Sequence, residues 1–118
     1  MTKVRGIRGA TTADHNTKKA ILDATTELLQ RLIEANDIDP DDVAGVFFST
    51  TPDLNADFPA VAARNLGWQF VALMCGHEMA VPNGQPRCIR TMLLVNTKRG
   101  QREINNVYLK EAINLRAR

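Results

Sequence analysis

The sequence is poor in cysteine, in aromatic residues and in long apolar runs. Only Cys75 and Cys88 occur among 118 residues, and aromatic residues make up 5% of the chain. One disulfide would add little to a core of this size, so we expect both thiols to be free. No apolar run approaches the ~18 residues of a membrane span, and the first residues lack the apolar stretch of a secretory signal. The composition therefore predicts no membrane segment and a cytoplasmic location.

The excess of positive charge is also small. A formal net charge of +2 is too weak for the broad basic surface with which proteins neutralise nucleic-acid phosphates, so no nucleic-acid partner is expected. Residues 14–57 carry ten acidic and three basic side chains, whereas the rest of the chain is strongly basic. This segregation fits complementary faces of an oligomer or a local anion site with several arginines; an ordinary solvated helix face is the alternative.

The hydrophobic fraction of 44% and the charged fraction of 24% are typical of a folded domain, and the length predicts one domain over residues 1–118. Alternation of period two, or short apolar runs, predict strands; apolar steps of three and four residues predict helices. The fold class is α+β: a mixed sheet packed with one long helix and short helical turns. The predicted strands are Lys3–Thr11, Val43–Ser49, Gln69–Met74 and Arg87–Thr97, and the predicted helices are Thr17–Ala35 and Ala60–Asn65, with a brief turn at Asp39-Pro40.

Several local expectations accompany these elements. Gly6 and Gly9 weaken the first strand, which predicts close approach of another backbone or a ligand. Arg8 lies on the same strand, in a row expected to face inward. The run Val43–Ser49 is expected to be buried on both faces, the last two strands are expected to pair as a hairpin, and Asn36 is expected to end the long helix in a left-handed conformation. The segment Ile104–Leu115 fits neither helix nor strand cleanly.

Arg90 is the most informative charged residue. It occupies a period-two row with Cys88, Met92 and Leu94, which are apolar. A guanidinium cannot lose its proton to escape burial, so Arg90 needs an anionic partner if this row is interior. That partner is either a protein carboxylate such as Glu78 in a structural pair, or a ligand; exposure at a sheet edge is the third possibility.

The run Cys75-Gly76-His77-Glu78 places a thiol, an imidazole and a carboxylate within four residues. A zinc site needs four ligands at paired spacings, and the other candidates, Cys88 and His15, form no second pair. A cysteine nucleophile needs an oriented base and an oxyanion site, and neighbouring residues of a strand point to opposite faces. We therefore expect no metal, and interpret Cys75 as a small buried residue.

Taken in order, a set of segments resembles the small monofunctional chorismate mutases of the trimeric α/β type over nearly the whole chain. The segments are Arg5-Gly6-Ile7-Arg8-Gly9-Ala10-Thr11-Thr12, Thr51-Pro52-Asp53-Leu54, Phe58-Pro59-Ala60, Gly67-Trp68-Gln69, Cys75, Glu78-Met79, Cys88-Ile89-Arg90, Val107-Tyr108-Leu109 and Leu115-Arg116. The resemblance implies a pseudo α/β barrel formed as a homotrimer, with three sites between subunits. It also implies an isomerase that converts chorismate to prephenate without a cofactor, in phenylalanine and tyrosine biosynthesis.

The resemblance further implies a role for each matching residue. Arg90, Glu78 and Arg8 would be catalytic: Arg90 at the ether oxygen and a carboxylate of the substrate, Glu78 at its ring hydroxyl, and Arg8 at a carboxylate. The implied substrate-binding residues are Tyr108, Cys75, Phe58, Arg64, Leu115 and Arg116. The family pattern carries a lysine where this chain has Val61, so one cation at the mouth of the site is missing.

Two other functions remain open at this point. One is a trimeric binding module that senses an anionic metabolite without converting it. The other is a deaminase of reactive enamines or imines, because that family has a similar trimeric architecture and fold alone does not decide function. The spacing of Glu78, Arg90 and Tyr108 favours the mutase, and retention of both arginines disfavours the sensor.

Overall fold

The computed structural model describes residues 1–117 and the side chains of residues 1–115. Five strands form one mixed sheet in the order β3-β2-β4-β1-β5. The strands are β1 Lys3–Thr12, β2 Val43–Thr50, β3 Ala72–His77, β4 Cys88–Thr97 and β5 Val107–Tyr108; the α-helices are α1 Lys18–Asn36 and α2 Ala60–Asn65; short 3-10 helices span Pro40–Asp42, Gln101–Glu103 and Lys110–Ala117. In this described part of the chain, no helix is both long and apolar enough to cross a membrane.

The long helix α1 begins and ends on polar side chains. The Thr17 hydroxyl accepts a hydrogen bond from the backbone N–H of Ala20 at 3.1 Å, which satisfies one of the free amides at the helix start. The expected left-handed end at Asn36 is wrong by one residue, since Asp37 takes that conformation with φ 51°. Asn36 stays helical because its buried carboxamide bonds to the backbone of Asn105, 69 residues away.

The two glycines of β1 differ in their surroundings. A Cβ atom on Gly9 would lie 2.8 Å from Cδ1 of Leu32 on α1, so the helix approaches the strand closely only because no side chain is present. A Cβ on Gly6 would first meet the Met92 sulfur at 3.9 Å, which is an ordinary contact. The expected close approach of another backbone is confirmed at Gly9, where the Val107 carbonyl oxygen would lie 3.3 Å from that Cβ, and no backbone of the described residues approaches Gly6 as closely.

The third strand and its partner differ from the prediction. Strand β3 starts at Ala72, three residues later than expected, because Gln69 and Phe70 form a turn in which the Gln69 side chain donates to the Arg64 carbonyl at 2.8 Å. It runs parallel to β2, to which it is connected through α2, and β2 in turn is antiparallel to β4. The expected hairpin of β3 and β4 is therefore wrong: β2 lies between them.

The sheet has two unlike faces. We call the face beneath α1 and α2 the covered face; it presents Ile7, Val46, Phe48 and Leu93 to a core completed by leucines of α1. The alternate residues form the open face, where Phe47, Met74 and Met92 remain 48%, 62% and 40% exposed. Two expectations are thus wrong for this chain. Strand β2 is buried on one face only, and Arg8 lies in an exposed row, because both helices pack on the same side.

The segment Ile104–Leu115, which fitted no template, combines a two-residue strand and a 3-10 helix. Strand β5 adds to β1 in parallel, and the 3-10 helix from Lys110 then crosses the open face. Its Ala112 is fully buried against Ala10 and Cys88. The 3-10 helix covers the open face around Ala10 and Cys88 and leaves the rest of that face uncovered.

Candidate active site

A single row of residues crosses all five strands on the open face. The register places Arg90 of β4 between Ala10 of β1 and Ser49 of β2, with Tyr108 beyond Ala10 and Gly76 beyond Ser49. Arg90 is flanked on both sides by small residues, so its guanidinium stands in a groove. Since neighbouring strands lie ~4.8 Å apart, the backbones of Tyr108 and Arg90 are separated by about 10 Å.

Arg90 is paired with Glu78, which follows β3. The Arg90 Nε lies 3.5 Å from Glu78 Oε2, and the two side chains are 50% and 33% exposed. The same carboxylate oxygen accepts a hydrogen bond from the Ser49 hydroxyl at 3.0 Å. The backbone N–H of Glu78 donates to the Thr50 carbonyl at 2.7 Å, which anchors the residue beyond the end of its strand. The ion pair engages Nε of Arg90, and the Arg90 side chain remains half-exposed.

Arg8 and Tyr108 lie at the opposite side of the groove from Glu78. Arg8 is opposite Met92, one row along the sheet from Arg90, and its backbone N–H donates to Asn106 Oδ1 at 2.9 Å. The parallel ladder continues where the N–H of Leu109 donates to the Ala10 carbonyl at 2.9 Å. These bonds fix Tyr108 beside the strand that carries Arg8.

Two adjoining cavities surround this row. The first, of about 440 Å³, is lined by Arg8, Arg90, Tyr108, Cys75 and Leu115 together with the apolar side chains of the open face. The second, of about 500 Å³, lies beside Glu78 and shares Arg90 and Leu115 with the first. Both volumes fall within the range of small-ligand sites.

The chemistry of these groups is electrostatic. Two guanidinium groups and a phenol supply hydrogen-bond donors to a ligand with two anionic groups, and one carboxylate supplies an acceptor. The arrangement can bind a dianion, orient it and stabilise negative charge that develops near Arg90.

Comparison with known proteins fits this chemistry. The family model described as chorismate mutase type I matches residues 4–118. The chain belongs to this family. It is 47% identical over 114 residues to chorismate mutase AroH of Bacillus subtilis (strain 168), covering 96% of this chain and 90% of the relative. Identity to chorismate mutase AroH of Thermus thermophilus is 46% over 114 residues, covering 96% and 93%. The family resemblance inferred from the sequence is confirmed.

A solved chorismate mutase has the same architecture. The structure titled chorismate mutase from Clostridium thermocellum Cth-682 superposes with a TM-score of 0.90 at 45% sequence identity, covering 92% of this chain and 96% of that one. The predicted α+β class with a mixed sheet and few helices is confirmed.

Not all residues expected in a chorismate mutase site meet within one chain. Phe58 and Arg64 line neither cavity: Phe58 precedes α2 and is 66% exposed, and Arg64 lies in the last turn of α2. Cys75 links the two groups, since it lines the first cavity and its thiol lies near the backbone N–H of Ala60 at the start of α2. The side chain of Arg116 lies outside the described residues.

The Cys75-Gly76-His77-Glu78 run is separated by the fold. Cys75 packs against the main core, His77 Nδ1 lies 3.2 Å from the Thr50 hydroxyl, and Glu78 pairs with Arg90. Burial raises the pKa of the Cys75 thiol, against the opposing effects of the Ala60 N–H and the Arg64 charge. A raised thiol pKa disfavours the thiolate that a nucleophile requires. Within the described residues, no three His, Cys, Asp or Glu side chains group as metal ligands.

Sequence reasoning missed Ser49 as a site residue. Ser49 carries the only side-chain hydroxyl in the run Val43–Ser49. In the structure this hydroxyl donates a hydrogen bond to Glu78 beside Arg90. The alternation of β2 would have assigned Ser49 to the same face as Phe47. The sequence alone does not reveal the strand order, in which β2 lies next to β4 and brings Ser49 beside Arg90.

Proposed function

We propose that this chain converts chorismate to prephenate on the open face, by binding the reactive conformer of the dianion and stabilising charge at its ether oxygen. The reaction is an intramolecular [3,3] rearrangement: the ether C–O bond breaks while a new C–C bond forms, and no proton or electron is exchanged with the protein. Such a reaction needs fixed donors and a compact cavity rather than a nucleophile. The observation that carries the proposal is the row that places Arg90 in a groove between Tyr108 and Glu78.

The family resemblance implies a role for each group, and the position of the group supports that role. Arg90 donates to the ether oxygen and to a substrate carboxylate through guanidinium N–H groups other than the Nε that pairs with Glu78. Glu78 accepts a hydrogen bond from the ring hydroxyl and restrains Arg90. Arg8 and Tyr108 bind the carboxylate at the β1 side of the groove. One donor at the developing negative charge contributes about 2.7 to 4 kcal/mol in comparable sites.

The remaining residues complete the proposed site from outside this cluster. Leu115 and Phe58 shield the ring from water, Cys75 lies beside it, and Arg64 and Arg116 attract the dianion electrostatically. Phe58 precedes α2 and Arg64 lies within it, and neither residue lines the cavity that holds Arg8 and Tyr108, which supports a site shared between subunits. We therefore propose a homotrimer in which the open faces of three copies pack together. Three large exposed apolar side chains on that face, Phe47, Met74 and Met92, support this contact.

The first experiment follows the absorbance of chorismate with purified, chelator-treated protein, and identifies prephenate as phenylpyruvate after acid treatment. Saturable turnover that survives chelation is expected. Tight binding of chorismate without turnover would favour the metabolite sensor, and turnover of an enamine or imine instead would favour the deaminase; either result would overturn the proposed activity. Light scattering on the same sample tests the trimer, and a monomeric mass at micromolar concentration would contradict it.

A further inference from the structure

The backbone just before β4 is held in an unusual conformation. Arg87 has φ 50°, in the left-handed region that residues with a Cβ atom rarely adopt. It is neither glycine nor asparagine, the residues that accept this region most easily. Such a conformation persists only where the surroundings hold it, and such positions concentrate at functional sites. Arg90, the proposed catalytic cation, lies three residues further along the same strand.

Asp53 holds Arg87 from the side of β2. Its Oδ2 accepts a hydrogen bond from the backbone N–H of Arg87 at 2.9 Å, and its Oδ1 accepts one from the Thr51 hydroxyl. The Thr51 oxygen in turn accepts from the N–H of Cys88 at 3.0 Å. Partial burial acts in the opposite direction, yet these hydrogen bonds from Thr51 and Arg87 lower the pKa of Asp53. Asp53 is therefore ionised at neutral pH, where it accepts both bonds.

Ala13 holds the same residue from the side of β1. The Ala13 N–H donates to the Arg87 carbonyl at 2.9 Å, and Arg87 Nε donates to the Ala13 carbonyl at 3.1 Å. Strands β1 and β2 are the two neighbours of β4 in the sheet. The start of β4 is thus held from both sides. On the β2 side, the acceptor for the Arg87 N–H is the Asp53 carboxylate.

The loop that carries Asp53 is itself anchored. Leu54 is 1% exposed, in a cluster with Ala13 and Ile89. Asn16 Oδ1 accepts hydrogen bonds from the backbone N–H groups of Asn55 and Ala56 at 3.0 and 3.1 Å. Asp53 consequently projects from a loop with little freedom, as a group that orients a neighbour must.

From these contacts we propose that Asp53 is a positioning residue for the reaction: it holds Arg87 in its left-handed conformation and so fixes the path of β4 that carries Arg90. This inference rests on the proposed role of Arg90. The Arg90 side chain is half-exposed and is paired with Glu78. The position of its guanidinium therefore depends on the backbone of β4 that carries it. A shift of a catalytic group by about 1 Å can lower the rate about a hundredfold.

The test compares two substitutions of Asp53. Asp53→Ala removes both acceptors and is expected to lower kcat about ten- to a hundredfold. Asp53→Asn is expected to retain most of the activity, because the amide oxygen still accepts from the Arg87 N–H and the amide nitrogen donates to the Thr51 oxygen. Asp53→Ala with the kcat of the unsubstituted protein, or Asp53→Asn as impaired as Asp53→Ala, would overturn the proposal.

A second arm asks whether Asp53 acts through Arg90. In the background of Arg90→Lys, Asp53→Ala is expected to lower kcat by no more than about twofold, since effects of residues that act as a unit are not additive. A role in general stability alone would leave the full loss in both backgrounds. An undiminished loss in the Arg90→Lys background would therefore count against a positioning role.

A third arm needs no substrate. Arg87→Gly keeps the N–H and removes the conformational cost of a positive φ, but it also removes the Nε hydrogen bond to the Ala13 carbonyl. The effect of Asp53→Ala is therefore measured against Arg87→Gly alone, and the drop in thermal midpoint is expected to be at most half of the drop in the unsubstituted background. An equal drop in both backgrounds would contradict the hold on Arg87. This arm still decides the structural claim if the unsubstituted protein shows no turnover of chorismate, a result that would count against the proposed function.

Discussion

The covered face and the open face of the sheet are built from alternate residues of the same strands, yet they do different work. On β4, Ile89 and Leu93 are completely buried under the helices. Arg90 and Met92, which lie between them in the sequence and point to the other face, remain about half-exposed. The covered face closes within one chain, because α1 and α2 supply the apolar side chains opposite it. The open face carries the arginines, the carboxylate and the phenol.

The comparison explains how a small domain can hold charged groups on a sheet without losing its core. A period of two separates stability from chemistry at every strand position. The arginines keep contact with water in the single chain, so they avoid the large desolvation cost of an unpaired buried charge. Substitutions on the two faces are therefore expected to change different measured quantities.

The largest effect on folding is expected on the covered side. Leu32→Ala removes a fully buried side chain of α1 that lies directly over Gly9. The lost contacts and the cavity left behind are expected to lower the free energy of unfolding by about 2 to 5 kcal/mol. Urea titration at a fixed protein concentration measures this loss, and kcat per folded chain should stay within twofold. The half-buried Leu22, also on α1, gives the control: Leu22→Ala should cost less. A tenfold loss of kcat in folded Leu32→Ala would show that the faces are coupled.

The largest effect on chemistry is expected on the open side at Arg90. Arg90→Lys keeps the net charge but replaces the planar fork by a single ammonium. Loss of one well-placed donor corresponds to about 10²- to 10³-fold in kcat, with the midpoint of thermal unfolding nearly unchanged. The matched control is Arg31→Lys, on the exposed side of α1. Turnover of Arg90→Lys within threefold of the unsubstituted protein would remove Arg90 from its proposed role.

A third substitution tests whether the open face is covered by other copies of the chain. Phe47→Asp places a charge at the centre of the exposed apolar patch. Loss of a buried phenylalanine contact corresponds to about 1.5 to 3 kcal/mol, or roughly ten- to a hundredfold weaker association. Sedimentation velocity over a range of concentrations should show dissociation, accompanied by loss of activity. Phe70→Asp provides the comparison, since Phe70 is fully exposed before β3. Equal dissociation of both variants would argue against the open face as the interface.

The sequence predicted those parts of the fold that depend on local pattern. The period of α1 and the alternation of β1 and β4 can be deduced from neighbouring residues. Strand order cannot, because β2 enters between β3 and β4 through long-range pairing. The prediction that Arg8 faces inward was wrong for the same reason. Alternation shows which residues share a face, but only the packing of both helices on one side shows which face is buried.

The candidate site shows the same division. Arg8 and Arg90 stood out as charges in apolar or crowded rows, and Glu78 was already weighed as the partner of Arg90. The roles of Tyr108, Leu115 and Phe58 came from the family resemblance, since nothing in their local spacing marks them. Ser49 and Asp53 act through contacts with residues 29 and 34 positions away. Contacts of that range have no signature in a single sequence.

The smallest effect is expected at Val61, where the family pattern has a lysine. Val61 is half-buried on α2, three residues before Arg64, outside the cluster of Arg8, Glu78, Arg90 and Tyr108. Val61→Lys adds a cation at the proposed mouth of the site without touching the groove itself. An exposed charge interaction contributes about 0.5 to 1 kcal/mol, so KM for chorismate should fall about two- to fivefold with kcat unchanged. The gain should shrink as salt is raised, because mobile ions screen exposed charges. Val61→Met, of similar length but neutral, separates charge from size, and an equal fall in KM for both variants would contradict the electrostatic explanation.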